Sequence, residues 1–167
     1  MAVDANAVDP AAYNALVGRA VLTNIRLSEI RYDIKPDALS TDPATWRKEV
    51  RAEPVEVFAD KESGRLLGSF LFELTCRHRR RKVLFCSARY LVSYRVHGGC
   101  EPEIGALFVE RVGKVVVYPY FRATVAQLTA QSAVQMPPLP IISLAPRNVK
   151  SAAELDDPHL LKGLAEN

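Results

Sequence analysis

Five side chains in the middle of this sequence could in principle hold a metal ion: Cys76, His78, Cys86, His97 and Cys100. Thiolate and imidazole are the usual zinc ligands, and Cys76 and His78, two apart on an extended segment, project to one face, with Cys86 within reach across a hairpin. Zinc sites are usually built from tight pairs such as C-x2-C, and none occurs here. Cys76 and Cys86 are therefore read as small core hydrophobes, and no metal or cofactor is expected. Glu101 and Glu103 could act as paired acids, but two carboxylates opening a helix already have a reason in its dipole. The three histidines, at 78, 97 and 159, fall at turns or in the tail, and no nucleophile elbow, phosphate-binding loop or H-E-x-x-H motif is present. The chain reads as a non-enzyme. Two further groupings could bind rather than catalyse. Arg77-His78-Arg79-Arg80-Arg81-Lys82 is either a phosphate- or acid-binding tip or the solvated end of a hairpin. Tyr90 and Tyr94 could stack bases, yet they fall on the apolar face of a strand, where a core role is the simpler account.

The elements around these residues follow from periodicity. Asp9-Pro10 opens a short helix through Leu16, with Gly18 just past its end. Alternation over 19–34 gives a long strand whose phase switches near Ser28, where a bulge is expected. A polar loop from Pro36 to Pro43 leads to a second strand, Trp46 to Ala59, in which Pro54 marks an edge or a bulge. Asp60-Lys61-Glu62-Ser63-Gly64 turns into a third strand, Leu66 to His78, burying Phe70, Phe72, Leu74 and Cys76. The fourth strand, Val83 to Val96, buries Leu84 to Val96 at every second position and turns Ser87, Arg89, Ser93 and Arg95 outward. The fold class is α+β: a four-stranded antiparallel sheet with one solvated face and helices packed on the other. A short helix over 101–112, closed by Gly113, precedes a second one starting near Pro119, because proline is tolerated in a first turn. Ser151, with Glu154 three residues on, would cap a final short helix. The 167 residues read as a single domain, with a folded body over 18–156, an N-terminal extension 1–17 and a tail 157–167.

Composition narrows the class further. The chain is 49% hydrophobic and 25% charged, with no apolar run long enough to span a membrane. Met1-Ala2-Val3-Asp4 carries no basic and apolar leader pattern, and three cysteines do not suggest a disulfide framework, so a cytoplasmic protein is expected. A net charge of +3 does not by itself imply nucleic acid.

Residues 115–147 are the most informative stretch. Counting 100° per residue from Pro119 puts Phe121, Val125, Leu128 and Ser132 on one side of a helix and Ala123, Ala126, Ala130 and Ala133 nearly opposite. Such a helix is either buried in one large core or sandwiched between its own sheet and a second helix at close range. The following run, Met136 to Pro146, has too many prolines for helix or central strand and is too apolar for an ordinary loop. It is either a crossover that plugs Leu139, Ile141 and Leu144 into the core, or one wall of an apolar groove.

The aromatic-Pro-aromatic entry Tyr118-Pro119-Tyr120, Arg122, the helix, the Pro-Leu loop and Leu144-Ala145-Pro146 together resemble SecB and the solitary SecB-like chaperones coupled to toxin–antitoxin pairs. Gly18 to Pro36 is similar to that family's long first strand. The resemblance implies a homotetramer, a dimer of dimers, assembled through the long helix, here with Ala123, Ala126, Ala130 and Ala133 at the interface. It also implies an ATP-independent holdase that takes unfolded polypeptides into an apolar groove, here Tyr118, Pro119, Tyr120, Leu139, Ile141, Ile142 and Leu144. The family's export role needs an acidic sheet surface that meets the SecA motor. Arg89, Arg95 and the basic tip argue against that docking, leaving a dedicated client such as an antitoxin at least as well favoured as general protein export. The competing reading is an RNA-binding module using the 77–82 tip, whose affinity would fall steeply with salt.

Overall fold

The computed structural model describes residues 9–140. Asp9 caps the first helix, α1 (Pro10–Arg19), its carboxylate accepting from the Ala11 N–H at 3.0 Å. The helix runs straight into β1 (Ala20–Ile34), so Gly18 lies inside its last turn rather than past it. Two short 3-10 turns, Pro36–Ser40 and Pro43–Thr45, occupy the expected loop. Trp46 ends that segment instead of opening the strand: its ring is buried and its Nε1 donates to Thr41 Oγ1 at 3.0 Å.

Then follow β2 (Arg47–Ala59), β3 (Arg65–His78) and β4 (Arg81–Val96), which zip as an antiparallel meander. β1 pairs with β4, giving the order β1-β4-β3-β2. The expected bulge falls between Leu27 and Glu29, and β1 has a second one between Leu22 and Asn24. Pro54 is both an edge residue and the start of a register shift, between Pro54 and Glu56. An edge strand tolerates the missing N–H because no neighbour needs it.

The last element among the described residues corrects the sequence reading. α2 is one continuous helix, Pro102–Gln131, not two helices broken at Gly113. Gly113 is buried, and a Cβ there would collide with the Phe70 ring, so the residue admits a neighbouring side chain and does not end the helix. Pro119 lies well inside the helix rather than in its first turn. It faces solvent, while Val117, Tyr118 and Phe121 on either side are locked into the core. Tertiary packing of those side chains holds the helix through a residue that breaks it locally.

α2 lies across β2 and β3, touches β4 less and leaves β1 almost uncovered. The core is therefore helix against sheet. Phe72 sits at its centre, with ring centroids 5.3 Å from Phe121 and 6.2 Å from both Tyr90 and Tyr118. α1 closes the far end, with Leu16 buried and Tyr13 6.5 Å from Phe108. No helix among the described residues is long and apolar enough to cross a membrane.

Candidate functional site

α2 ends in a backbone motif that reverses the chain. The Val134 N–H donates to Thr129 O at 2.9 Å and the Ala133 N–H to Ala130 O at 3.2 Å, with Ala133 at φ 55°. This is the paired bonding that caps helices through a left-handed residue, usually glycine. The chain then returns along α2. Met136 Sδ lies 3.9 Å from Cys76 Sγ, Leu139 is buried, and the Tyr118 hydroxyl donates to Pro140 O at 2.6 Å. Between helix and returning loop is a crevice of about 220 Å³, with Arg122, Ala126 and Ala130 on one wall and Met136 and Pro138 on the other.

The residues singled out from sequence divide into two sets here. Tyr118 and Leu139 point into the core, while Pro119 and Tyr120 are exposed. Ala123, Ala126 and Ala130 form an exposed line along α2, whereas Ala133 lies beyond the helix end at its left-handed cap. Ile141, Ile142 and Leu144, and the helix expected after Ser151, lie outside the described residues.

Sequence reasoning missed two apolar surfaces. On the helix side of the sheet, Leu22, Leu27 and Ile30 of β1 are each 42% exposed. They stand opposite Tyr94, Tyr90 and Ala88 of β4, beyond the reach of α2. The Tyr90 hydroxyl bonds Thr124 Oγ1 at 2.7 Å, marking the line where helix cover stops. Burial pushes the Tyr94 phenol up to about 12, as expected where water cannot solvate the charged form. On the opposite face Phe58, Leu67 and Leu91 are 57%, 45% and 43% exposed. The two-residue alternation places each of them on a face, but the face's contents depend on cross-strand register, which no single strand reveals.

The basic tip turns at Arg79, φ 54°, and Arg79, Arg80, Arg81 and Lys82 are all exposed. Arg81 pairs with Asp37 at 3.4 Å, and Lys82 Nζ lies 4.7 Å from the Phe85 ring centre. No group of three potential metal ligands occurs among the described residues. The Cys76 and Cys86 thiols are buried on the helix side of the sheet, and that burial pushes both up to about 11.

A four-stranded antiparallel sheet of order β1-β4-β3-β2, crossed on one face by a long helix whose chain doubles back on itself, is a SecB-like fold. The comparison that carries this is a SecB-like chaperone of Mycobacterium tuberculosis, solved in complex with a ChAD peptide from the HigA1 antitoxin. It superposes with a TM-score of 0.66 at 21% identity, over 80% of this chain and 97% of its own. A Streptococcus agalactiae protein of unknown function covers 74% of this chain and 97% of its own at 11% identity, with a TM-score of 0.39, too distant to weigh. No family model and no curated protein matches.

Proposed function

We propose that this chain is a non-enzymatic, ATP-independent chaperone that holds extended apolar segments of non-native polypeptides. The observation that carries the reading is the strip Leu22, Leu27 and Ile30 of β1, apolar and exposed on the helix side of the sheet where α2 does not reach. Three large apolar side chains left in water on a folded subunit mark an interaction surface. An extended client needs shallow apolar contacts with little sequence preference, and binding it slows folding and aggregation by mass action. The neighbour of like fold was solved with an antitoxin peptide, which favours a dedicated client of that kind over general export. The exposed line Ala123, Ala126, Ala130 would let two copies of α2 approach closely in a symmetric assembly.

The test is suppression of light scattering by a chemically denatured client at low molar excess. The triple variant Leu22→Ser, Leu27→Ser, Ile30→Ser should keep its circular dichroism spectrum and lose most of its protection. Protection equal to the parent chain would overturn the reading. Binding that survives high salt separates this reading from nucleic-acid binding at the basic tip, which should weaken as counterions compete.

A further inference from the structure

The chain's positive charge is gathered at one end of the sheet. Residues 77–82 hold five of its 22 Lys and Arg, and the other 17 face 19 acids, so the rest of the chain is mildly acidic. Register then sets cations side by side. Arg47, Arg77 and Lys82 are cross-strand partners on β2, β3 and β4, and all three are exposed. Like charges facing across a sheet repel, so three abreast do nothing for the fold itself.

Beside this row the β3–β4 turn and the turn Pro36–Ser40 bound a cleft of about 700 Å³. His78, Arg79, Arg80 and Arg81 line it, and Asp37, the one acid in its lining, is paired with Arg81 at 3.4 Å. Both partners are largely exposed, so the pair is weak. Arg47, Arg77, Arg79, Arg80 and Lys82 form no ion pair among the described residues. No Phe, Tyr or Trp lines the cleft, and the nearby Phe85 ring already has Lys82 over it at 4.7 Å. Sites for single-stranded nucleic acid combine cations with aromatic platforms. Guanidinium groups without such platforms suit carboxylates, which they bind through paired N–H donors.

The cleft is continuous with the apolar strip of β1. Beyond Leu22, Leu27 and Ile30, the half-buried Tyr32 and Ile34 carry the same side of β1 to the strand end. There the Lys35 N–H donates to Val83 O at 2.9 Å, and Val83 lines the cleft. Leu39, in the turn that bounds the cleft, is 68% exposed. Four residues of extended chain separate Ile30 from the strand end, about 13 Å. We propose that the cleft holds the acidic flank of an extended client whose apolar segment lies along β1, the acids falling about four to eight residues beyond that segment. This rests on the chaperone reading and narrows it: the preferred client joins an apolar stretch to a short run of Asp or Glu.

The test uses the full chain and a dye-labelled peptide made of Leu-Ser-Leu-Ser-Leu, a Gly-Ser-Gly-Ser spacer and Asp-Glu-Asp-Glu. Its controls are an Asn-Gln-Asn-Gln analogue and both peptides with the blocks in reverse order. In fluorescence anisotropy at low salt, the acidic peptide in one block order should bind about three- to tenfold tighter than its neutral analogue, the worth of a few exposed ion pairs. That gap should close in about 0.5 M NaCl, where such charges are screened, and leave the shared apolar binding. Arg79→Gln with Arg80→Gln, both exposed, should close it at low salt without changing the neutral analogue. Equal binding of the acidic and neutral peptides, or a gap that survives the double variant, would overturn the proposal and leave the chaperone reading standing. If neither peptide binds, the proposal falls, and the light-scattering assay decides whether the chaperone reading falls with it. A single-stranded oligonucleotide that displaces the acidic peptide at lower concentration, and needs Arg79 and Arg80 to do so, would overturn it in favour of nucleic acid.

Discussion

The two faces of β3 and β4 differ by a single residue step along the chain and by almost everything else. On the helix side Phe70, Phe72, Leu74 and Cys76 face Leu84, Cys86, Ala88 and Tyr90, and all are buried. One position along, Leu67 and Leu91 are large and apolar too, yet stand open beside Arg95, Glu73 and the ion pair of Arg89 with Glu29 at 3.4 Å. The contrast shows that burial is settled by what lies across from a residue, not by its type. One face has α2 and becomes the core, and the other has no covering element among the described residues and keeps its apolar residues exposed.

Substitutions can break that contrast. Phe72→Ala removes the ring packed among three other aromatics and should cost about 3–5 kcal/mol in urea denaturation. Leu91→Ala on the open face should stay within about 1 kcal/mol. Equal costs would mean that the outer face is packed against something in solution.

Alkali should also attack the helix side selectively. Burial raises the Cys76 and Cys86 thiols from an ordinary value of 9.0 to about 11 in the folded chain. The unfolded chain therefore releases these protons first, so their contribution to stability is complete below about pH 9 and lost as pH rises toward 11. Chemical denaturation across pH 7–11 should show that decline, and the Cys76→Ala, Cys86→Ala double variant should flatten it.

Two glycines sharpen the comparison at smaller scale. Gly113→Ala would drive a methyl into Phe70 and should cost about 1–3 kcal/mol. Gly18→Ala in α1 meets open space and should gain about 0.5–1 kcal/mol in thermal denaturation. Smallest of all, Ala133→Gly should stabilise by about 0.5 kcal/mol, because the left-handed cap strains any side chain bearing a Cβ.

How much of this was legible in the sequence depends on whether the signal was local. The switch of phase in 19–34 announced the bulge at Ser28, Pro54 announced an edge, and Asp9 announced a cap, since each is a property of a few adjacent residues. Gly113 and Pro119 misled for the complementary reason. Both are helix breakers in isolation, and the side chains that override them, Phe70 on one side and Phe72 on the other, come from a different part of the chain. The apolar patch on the outer face was hidden in the same way. Phe58, Leu67 and Leu91 become neighbours only once β2, β3 and β4 are in register. The Tyr118-Pro119-Tyr120 entry, Arg122 and the Pro-Leu loop were visible and suggested the fold. The division of Tyr118 from Tyr120 by burial was not, because it follows from where α2 sits on the sheet.

The strand order has a kinetic consequence. β2, β3 and β4 are sequence neighbours and can zip by short hairpins, but β1 must wait for β4, as in the Thr23–Ser93 bond seventy residues apart. Long-range closure of this kind is slow relative to local pairing. During synthesis the earliest strand is consequently the last to find its partner, with Leu22, Ile25 and Leu27 waiting unshielded until the fourth strand is made. A chain that we propose shelters the unfinished segments of others thus begins its own existence with one.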